Sequence, residues 1–270
     1  MGFLDKFKKK KEAPARPQKE GAAPETEEYT PGGSAVYRYR TPENQGFRPP
    51  EEAGVSMEAI EKHMEGIFPG GEGFVYHEMI SDLVHIDVHV LRGPREDDGI
   101  LLYTTGMSDL PMSLPEEISG REDLKYAELY LLLPGDWDLG GEGTSPRDLP
   151  YERFWPVQML KFLARFPHEY KTWLGWGHSI PNGPDYAPVC PGLGFGGAVL
   201  AQPTLVPPLT TEEGKQISFY MLIPAYKEEI EYKLKFGMEE LNRRFIEGKL
   251  PLILDVHRAN FCADFKEILD

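Results

Sequence analysis

The chain has 270 residues, 40% of them hydrophobic, which is enough to fill one sizeable core. Its 44 Asp and Glu against 29 Lys and Arg leave a formal charge of -15, a field that repels phosphate backbones, argues against a nucleic-acid ligand and suits a basic protein partner. No apolar run approaches the roughly 20 residues that span a bilayer, and Cys190 and Cys262 are too few for a disulfide framework and too far apart for a CxxC, so a cytoplasmic, reducing setting is expected.

Residues 1–11 carry a basic cluster but no apolar segment of the secretory type, and Lys6 stands where a myristoylation motif has Ser or Thr. The plain reading is a solvated tail. A second reading has Phe3, Leu4, Phe7 and the lysines making weak peripheral contact with an anionic membrane, and it fails if removing these residues leaves vesicle binding unchanged. From Lys8 to about Gly54 the sequence is rich in Pro, Glu, Ala, Gly and Lys, and it has too few aliphatic side chains to offset the entropy of ordering. Residues 1–55 are therefore read as a disordered low-complexity tail and 56–270 as the folded domain.

Ser56 reads as an N-cap before Met57, Ile60, Met64 and Ile67, whose spacing puts them on one face of a helix ending near Pro69-Gly70-Gly71. Strands are predicted over 74–79, 84–91 and 100–106, separated by turn chemistry such as Gly93-Pro94 and Asp98-Gly99. A fourth, 126–133, becomes continuously apolar, as expected of a central strand buried on both faces. Pro156 opens a predicted amphipathic helix with Val157, Leu160, Leu163 and Ala164 on one side, ending at Pro167. After a Trp-rich segment and a Pro/Gly-rich loop over 182–196, strands are predicted at 197–201 and 217–223. Helices follow at 225–236 and 238–246, with a last short strand at 252–257. Strands first, helices interleaved later and short hairpin links give an α+β fold, a mixed, largely antiparallel sheet flanked by helices.

Four motifs bear on chemistry. His85, Asp87 and His89, two apart on a predicted strand, project from one face and offer two imidazoles and a carboxylate; the plain alternative is a polar sheet face. Glu128, flanked by Ala127 and Leu129, needs partners or water if buried, and it shares a cleft with Asp87 if their strands adjoin. Gly177-His178-Ser179-Ile180-Pro181 approaches a nucleophile elbow, but Pro181 prevents the helix that must follow. Gly192-Leu-Gly194-Phe-Gly-Gly197 matches a dinucleotide-binding pattern without the preceding strand, and is read as a loop entering a strand.

The densest segment is Trp173-Leu-Gly-Trp176-Gly-His178, a pocket wall in which glycine permits close approach and indole supplies apolar area. With Leu83-Val-His85-Ile-Asp87-Val88, Tyr103 to Met112, Ala127-Glu128-Leu129-Tyr130, Trp155-Pro156, Leu163-Ala164-Arg165, Ile217-Ser-Phe219 and Asp255-Val-His-Arg258, it resembles the suppressor-of-fused domain, in order over 57–264. That resemblance implies an α+β domain with no established catalytic activity. The animal proteins restrain zinc-finger transcription factors of Hedgehog signalling by gripping a peptide through strand addition, and similar compact bacterial domains are proposed as immunity proteins that neutralise toxins. The compact bacterial type is the nearer likeness. Pro111-Met112 departs from the aromatic contact of the animal form, so the animal peptide specificity is not carried over.

The expected function is thus a non-catalytic protein-binding domain, an immunity protein neutralising a toxin or a regulator sequestering a protein, with Ser108, Asp109, Trp173, Trp176, His178 and Arg258 lining the partner site. No cofactor, metal ligand or catalytic residue is assigned in that reading. Core packing of the tryptophans, a turn cap at Asp109 and an internal carboxylate for Arg258 are the plain alternatives. The competing function is a metal-assisted hydrolase built on His85, Asp87, His89 and Glu128.

Overall fold

The computed structural model describes residues 26–31, 33, 35–37, 39, 47–50, 53–202 and 204–265. A hairpin of β1 (Thr26–Tyr29) and β2 (Ala35–Tyr37) precedes α1 (Met57–Ile67), β3 (Glu72–Tyr76), β4 (Asp87–Arg92), β5 (Ile100–Thr105) and β6 (Ala127–Leu133). Then come α2 (Tyr151–Glu169), β7 (Ser179–Pro181), β8 (Phe195–Ala201), β9 (Leu209–Thr210), β10 (Gln216–Tyr226), α3 (Lys227–Phe236) and α4 (Met238–Glu247). Strands β3 to β10 form one sheet in the order β3-β4-β5-β6-β10-β8-β7, with β9 against the start of β10. The β6–β10 pair is parallel and the other ladders are antiparallel, so the sheet is mixed and largely antiparallel, as the sequence pattern predicts.

The position of β6 follows from its composition. Every residue of Ala-Glu-Leu-Tyr-Leu-Leu-Leu is buried, so this strand has to be covered on both faces. On one side Leu129 and Leu131, with Val88, Val90 and Leu222, meet Trp155, Leu160 and Leu163 of α2. On the other, Tyr130 and Leu132, with Phe219 and Met221, meet Ile60 and Met64 of α1, Ile230 of α3 and Leu241 and Phe245 of α4. Each fully buried large apolar side chain contributes roughly 1.5–3 kcal/mol, and the two clusters together make a three-layer domain.

The differences from the sequence reading have local causes. Helix α2 starts at Tyr151 rather than Pro156, because Phe154 and Trp155 extend its apolar face by a turn, and both Pro156 and Pro167 lie inside it. Strand β10 runs through Pro224 to Tyr226. β6 pairs only with Ser218–Met221, so the missing N–H of Pro224 interrupts no β6 ladder, and α3 begins two residues later than predicted. The last predicted strand reduces to one parallel bridge, Leu132 to Ile253. Within the segment 1–55, β1 pairs with β2, and Tyr39 packs edge-on against Phe166 and bonds Thr172 at 2.8 Å. Residues 1–11 lie outside the described residues.

Gly106 closes β5 at φ 97°, where an added Cβ would stand 1.8 Å from the His85 carbonyl oxygen. Both the left-handed backbone and the backbone contact forbid a side chain there. We therefore expect Gly106→Ala to lower unfolding free energy by on the order of 3 kcal/mol. Urea denaturation checks this, and a change within experimental error would refute the close approach.

Candidate functional site

The segment between α2 and β7 turns at Gly177. Gly177 sits at φ 79°, where a Cβ would lie 3.3 Å from the Met238 side chain, and its N–H donates to the Leu200 carbonyl at 2.8 Å while Leu200 N–H donates to the His178 carbonyl at 2.9 Å. This pairing extends the β7–β8 contact and holds Trp176 at the surface, 41% exposed. Trp176 lines an open groove of about 270 Å³ together with Met221 and Ile223 of β10, Ile246 of α4 and Leu252. Ile246 and Leu252 are themselves exposed, so three large apolar side chains meet solvent around one concavity. A separate, smaller hollow shares Met221, Ile223 and Leu252 with this groove and is lined also by Leu254, Asp255 and Arg258.

Trp173 and His178 lie behind this wall, with their rings edge to face at 4.3 Å. Burial, and secondarily the nearby Lys233 ammonium, pushes the His178 imidazole down to about 4, so it is neutral near pH 7. Lys233 is itself buried, which lowers its ammonium to about 8, and its Nζ reaches Ser179 Oγ at 3.4 Å. Ser179 thus lies on a short edge strand beside a lysine, with no helix after it, and the elbow reading stays rejected.

Arg258 is expected at the partner surface and is instead almost wholly enclosed. Its two terminal nitrogens donate to Oε1 and Oε2 of Glu229 at 2.6 and 2.7 Å, and they also donate to the carbonyls of Ala259 and Pro224. The rings of Phe195, Tyr226, Phe245 and Phe261 surround the guanidinium at 5.0–5.9 Å. Glu229 is fully buried and also accepts the N–H groups of Tyr226 and Phe261. The correction is physical: an arginine satisfied this completely ties together the backbone of β10, α3 and the C-terminal segment, and it is not among the residues that line the Trp176 groove.

Ser108 and Asp109 are also redirected. They occupy a 3-10 turn after Gly106, away from the Trp176 groove in the strand order. Ser108 is fully buried, with its N–H and hydroxyl both donating to Glu128 Oε1, and Thr104 donates to Oε2 at 2.6 Å. Asp109 accepts the Gly54 N–H at 2.7 Å, and burial raises its carboxyl above the usual range. This residue therefore fastens the chain entering α1. Burial also raises the Glu128 carboxyl to about 7, against the opposing pull of the bonds from Thr104 and Ser108. When it is protonated, Glu128 can donate to Thr104 Oγ1 while that hydroxyl turns to the Leu129 carbonyl, 3.5 Å away.

The four residues of the hydrolase reading do not form one centre. β5 separates Glu128 on β6 from Asp87 on β4. His89 stacks on Tyr103 at 4.6 Å, bonds Thr105 Oγ1 at 3.0 Å, and is lowered by burial to about 4. His85 precedes the strand rather than lying on it, and Asp87 takes His77 as its other imidazole neighbour. His77, Ile246 and Leu252 carried no motif in the sequence. Only an apolar residue on the polar face of the last helix could have pointed to Ile246.

The fold is an α+β domain with a mixed sheet covered on both faces, and comparison with known proteins agrees. The profile of the suppressor of fused protein (SUFU) family matches residues 82–259, and this chain belongs to that family. A putative SUFU homolog from Neisseria gonorrhoeae has a similar fold, with TM-score 0.54, 14% identity, and 76% of this chain and 95% of that one covered. The structure of a Sufu-Fu complex gives TM-score 0.55, 15% identity, and coverage of 78% and 93%. Drosophila Suppressor of Fused gives TM-score 0.50 and 14% identity over 79% of this chain, which spans about half (52%) of that longer protein. A search of curated proteins finds no match.

Two outcomes follow from these buried groups. Arg258→Ala strands Glu229 without its cation and is expected to cost about 3–5 kcal/mol in denaturant unfolding; a loss below ~1 kcal/mol would contradict the bracing role. Glu128 binds its proton more tightly folded than unfolded, so between its ordinary value of 4.5 and the folded value of about 7 the native state holds the extra proton. Its contribution is therefore complete at the acid end and fades as pH rises through about 7. Relative to Glu128→Gln, the wild type should lose on the order of 3 kcal/mol between the two limits, and parallel stability–pH curves for the two proteins would overturn this.

Proposed function

We propose that this chain is a non-catalytic, cytoplasmic protein-binding domain whose partner docks in the groove beside Trp176. The observation that carries the reading is the concavity rimmed by Trp176, Ile246 and Leu252, three exposed large apolar side chains. Apolar anchors in a pocket supply most of the affinity in protein interfaces, and tryptophan is prominent among them. In this reading Trp176 makes the direct contact, Trp173 and His178 stiffen it from behind, and Arg258, Ser108 and Asp109 act through the backbone they hold.

The partner is a basic protein, either a toxin that the chain neutralises as an immunity protein or a regulatory protein that it sequesters. The charge of -15 supports a basic partner, since opposite fields speed encounter even where they add little affinity. Membership of the SUFU family supports a protein partner, because the Sufu of one similar structure is in complex with Fu. Two buried free thiols, Cys190 and Cys262, fit a reducing compartment. Among the described residues no helix is long and apolar enough to cross a membrane. The four-residue hydrolase centre is not assembled: β5 lies between Glu128 and Asp87, and His89 is engaged with Tyr103 and Thr105.

Affinity capture from the native host, comparing wild type with Trp176→Ala and Ile246→Lys, is the test. Both side chains are exposed enough for the variants to remain folded, which melting curves verify, and each should weaken retention of the partner about tenfold or more. Undiminished capture by both folded variants would remove the groove from the interface. Co-expression with the product of the adjacent coding sequence separates the two partner types: restored growth in the presence of a toxic product marks an immunity protein.

A further inference from the structure

The long connection from β3 to β4 is folded back on itself. Leu83 adopts φ 70°, its N–H donates to the Arg48 carbonyl at 2.8 Å, and Arg165 of α2 bonds both the Asp82 carbonyl and Glu78. The result places His77, the first residue after β3, against Asp87, the first residue of β4, with His85 on the other carboxylate oxygen. His77 Nδ1 lies 2.8 Å from Asp87 Oδ2, and His85 Nε2 lies 3.0 Å from Asp87 Oδ1. The three ligand atoms are within 4.8 Å of one another.

We propose that His77, His85 and Asp87 form a binding site for a divalent transition metal. Two imidazole nitrogens and one carboxylate oxygen suit Zn²⁺ and its neighbours, whereas Mg²⁺ and Ca²⁺ prefer all-oxygen shells. At metal–ligand distances of about 2.1 Å, tetrahedral donors stand roughly 3.4 Å apart. The group reaches that spacing by a small movement of His77, whose side chain is 66% exposed. Asp87 is nearly buried and fixed, since it also accepts the Glu78 N–H at 2.9 Å.

A second shell is present as well. The other ring nitrogen of His85, Nδ1, is 2.6 Å from Ser81 Oγ, the outer hydrogen bond that orients a ligating imidazole. His85 thereby presents Nε2 toward the carboxylate. His89, next along the strand, is committed to Tyr103 and Thr105 and takes no part. Three protein ligands leave one tetrahedral position for water, and the exposed His77 puts the site at the surface. β5 and β6 lie between this site and the strands that line the Trp176 groove, so the metal site and the docking reading stand or fall separately.

Protons alone could join the same three groups, and a titration distinguishes the two cases. Untagged full-length protein is titrated calorimetrically with Zn²⁺ at pH 7.5, and Co²⁺ is added to a second sample for its visible absorption. One equivalent should bind with Kd of about 10 µM or tighter. Either His77→Ala or His85→Ala should weaken binding about tenfold or more, while His257→Ala, at an exposed position elsewhere, should match wild type. His77→Ala removes an exposed side chain, and its melting curve shows whether it is folded. Absence of a stoichiometric site below about 100 µM, or wild-type affinity in either folded histidine variant, overturns the proposal.

Discussion

A guanidinium and a carboxylate removed from water hold the last third of this molecule in place. Taking Arg258 and Glu229 out of solvent costs several kcal/mol per ion before any contact is made. The cost is offset only because both carboxylate oxygens face both terminal nitrogens, two further carbonyls accept from the guanidinium, and two backbone N–H groups donate to Glu229. The aromatic box around the cation adds attraction and keeps water away. Glu229 also sits in the first turn of α3, where its charge suits the helix N-terminus. One ion pair therefore joins three pieces of chain: the end of β10, the start of α3, and the C-terminal segment.

The groove depends on that junction. Its outer wall is the stretch from Leu250 to Leu252, which has little regular structure and is tied down by Leu254 N–H to the Leu132 carbonyl, by the Leu132–Ile253 bridge and by Arg258 a few residues on. A wall fixed at its far end by a buried ion pair has less freedom to lose, and in the proposed docking such preorganisation would reduce the entropy cost. The same device recurs in another form around β6 and the end of β5. Glu128, Thr104 and Ser108 make a closed polar network that pins the turn after Gly106, and Asp109 passes the constraint to the start of α1.

Much of the fold was legible in the sequence, because it is written in periodicity. The Ile60–Met64 stripe, the all-apolar run of β6, and the Leu160–Leu163–Ala164 face of α2 each specify an element and its buried side. What escaped was set by tertiary contact. Pro224 reads as a stop, yet it is accommodated where β10 has left β6. Tyr39 reads as part of a polar tail, yet it finds Phe166 and Tyr170. Of the candidate site, Trp176 stands out in the sequence because an indole beside glycine is visible locally, and the structure places it exposed on a groove. Arg258, Ser108 and Asp109 carry the same functional groups whether they face a partner or a buried carboxylate, and sequence alone does not separate those cases. The pairing of His77 with Asp87 arises from the turn through Leu83, which no spacing rule encodes.

The central claim is that this molecule acts by docking a protein against the face formed by Trp176, α4 and the Leu250–Leu252 wall. Hydrogen–deuterium exchange of the full chain, alone and saturated with its captured partner, reads that face directly. The account predicts new protection concentrated in residues 174–178 and 238–254, with β3 and β4 unchanged. Protection confined to the β3–β4 end, with the Trp176 groove exchanging as in the free protein, would contradict it.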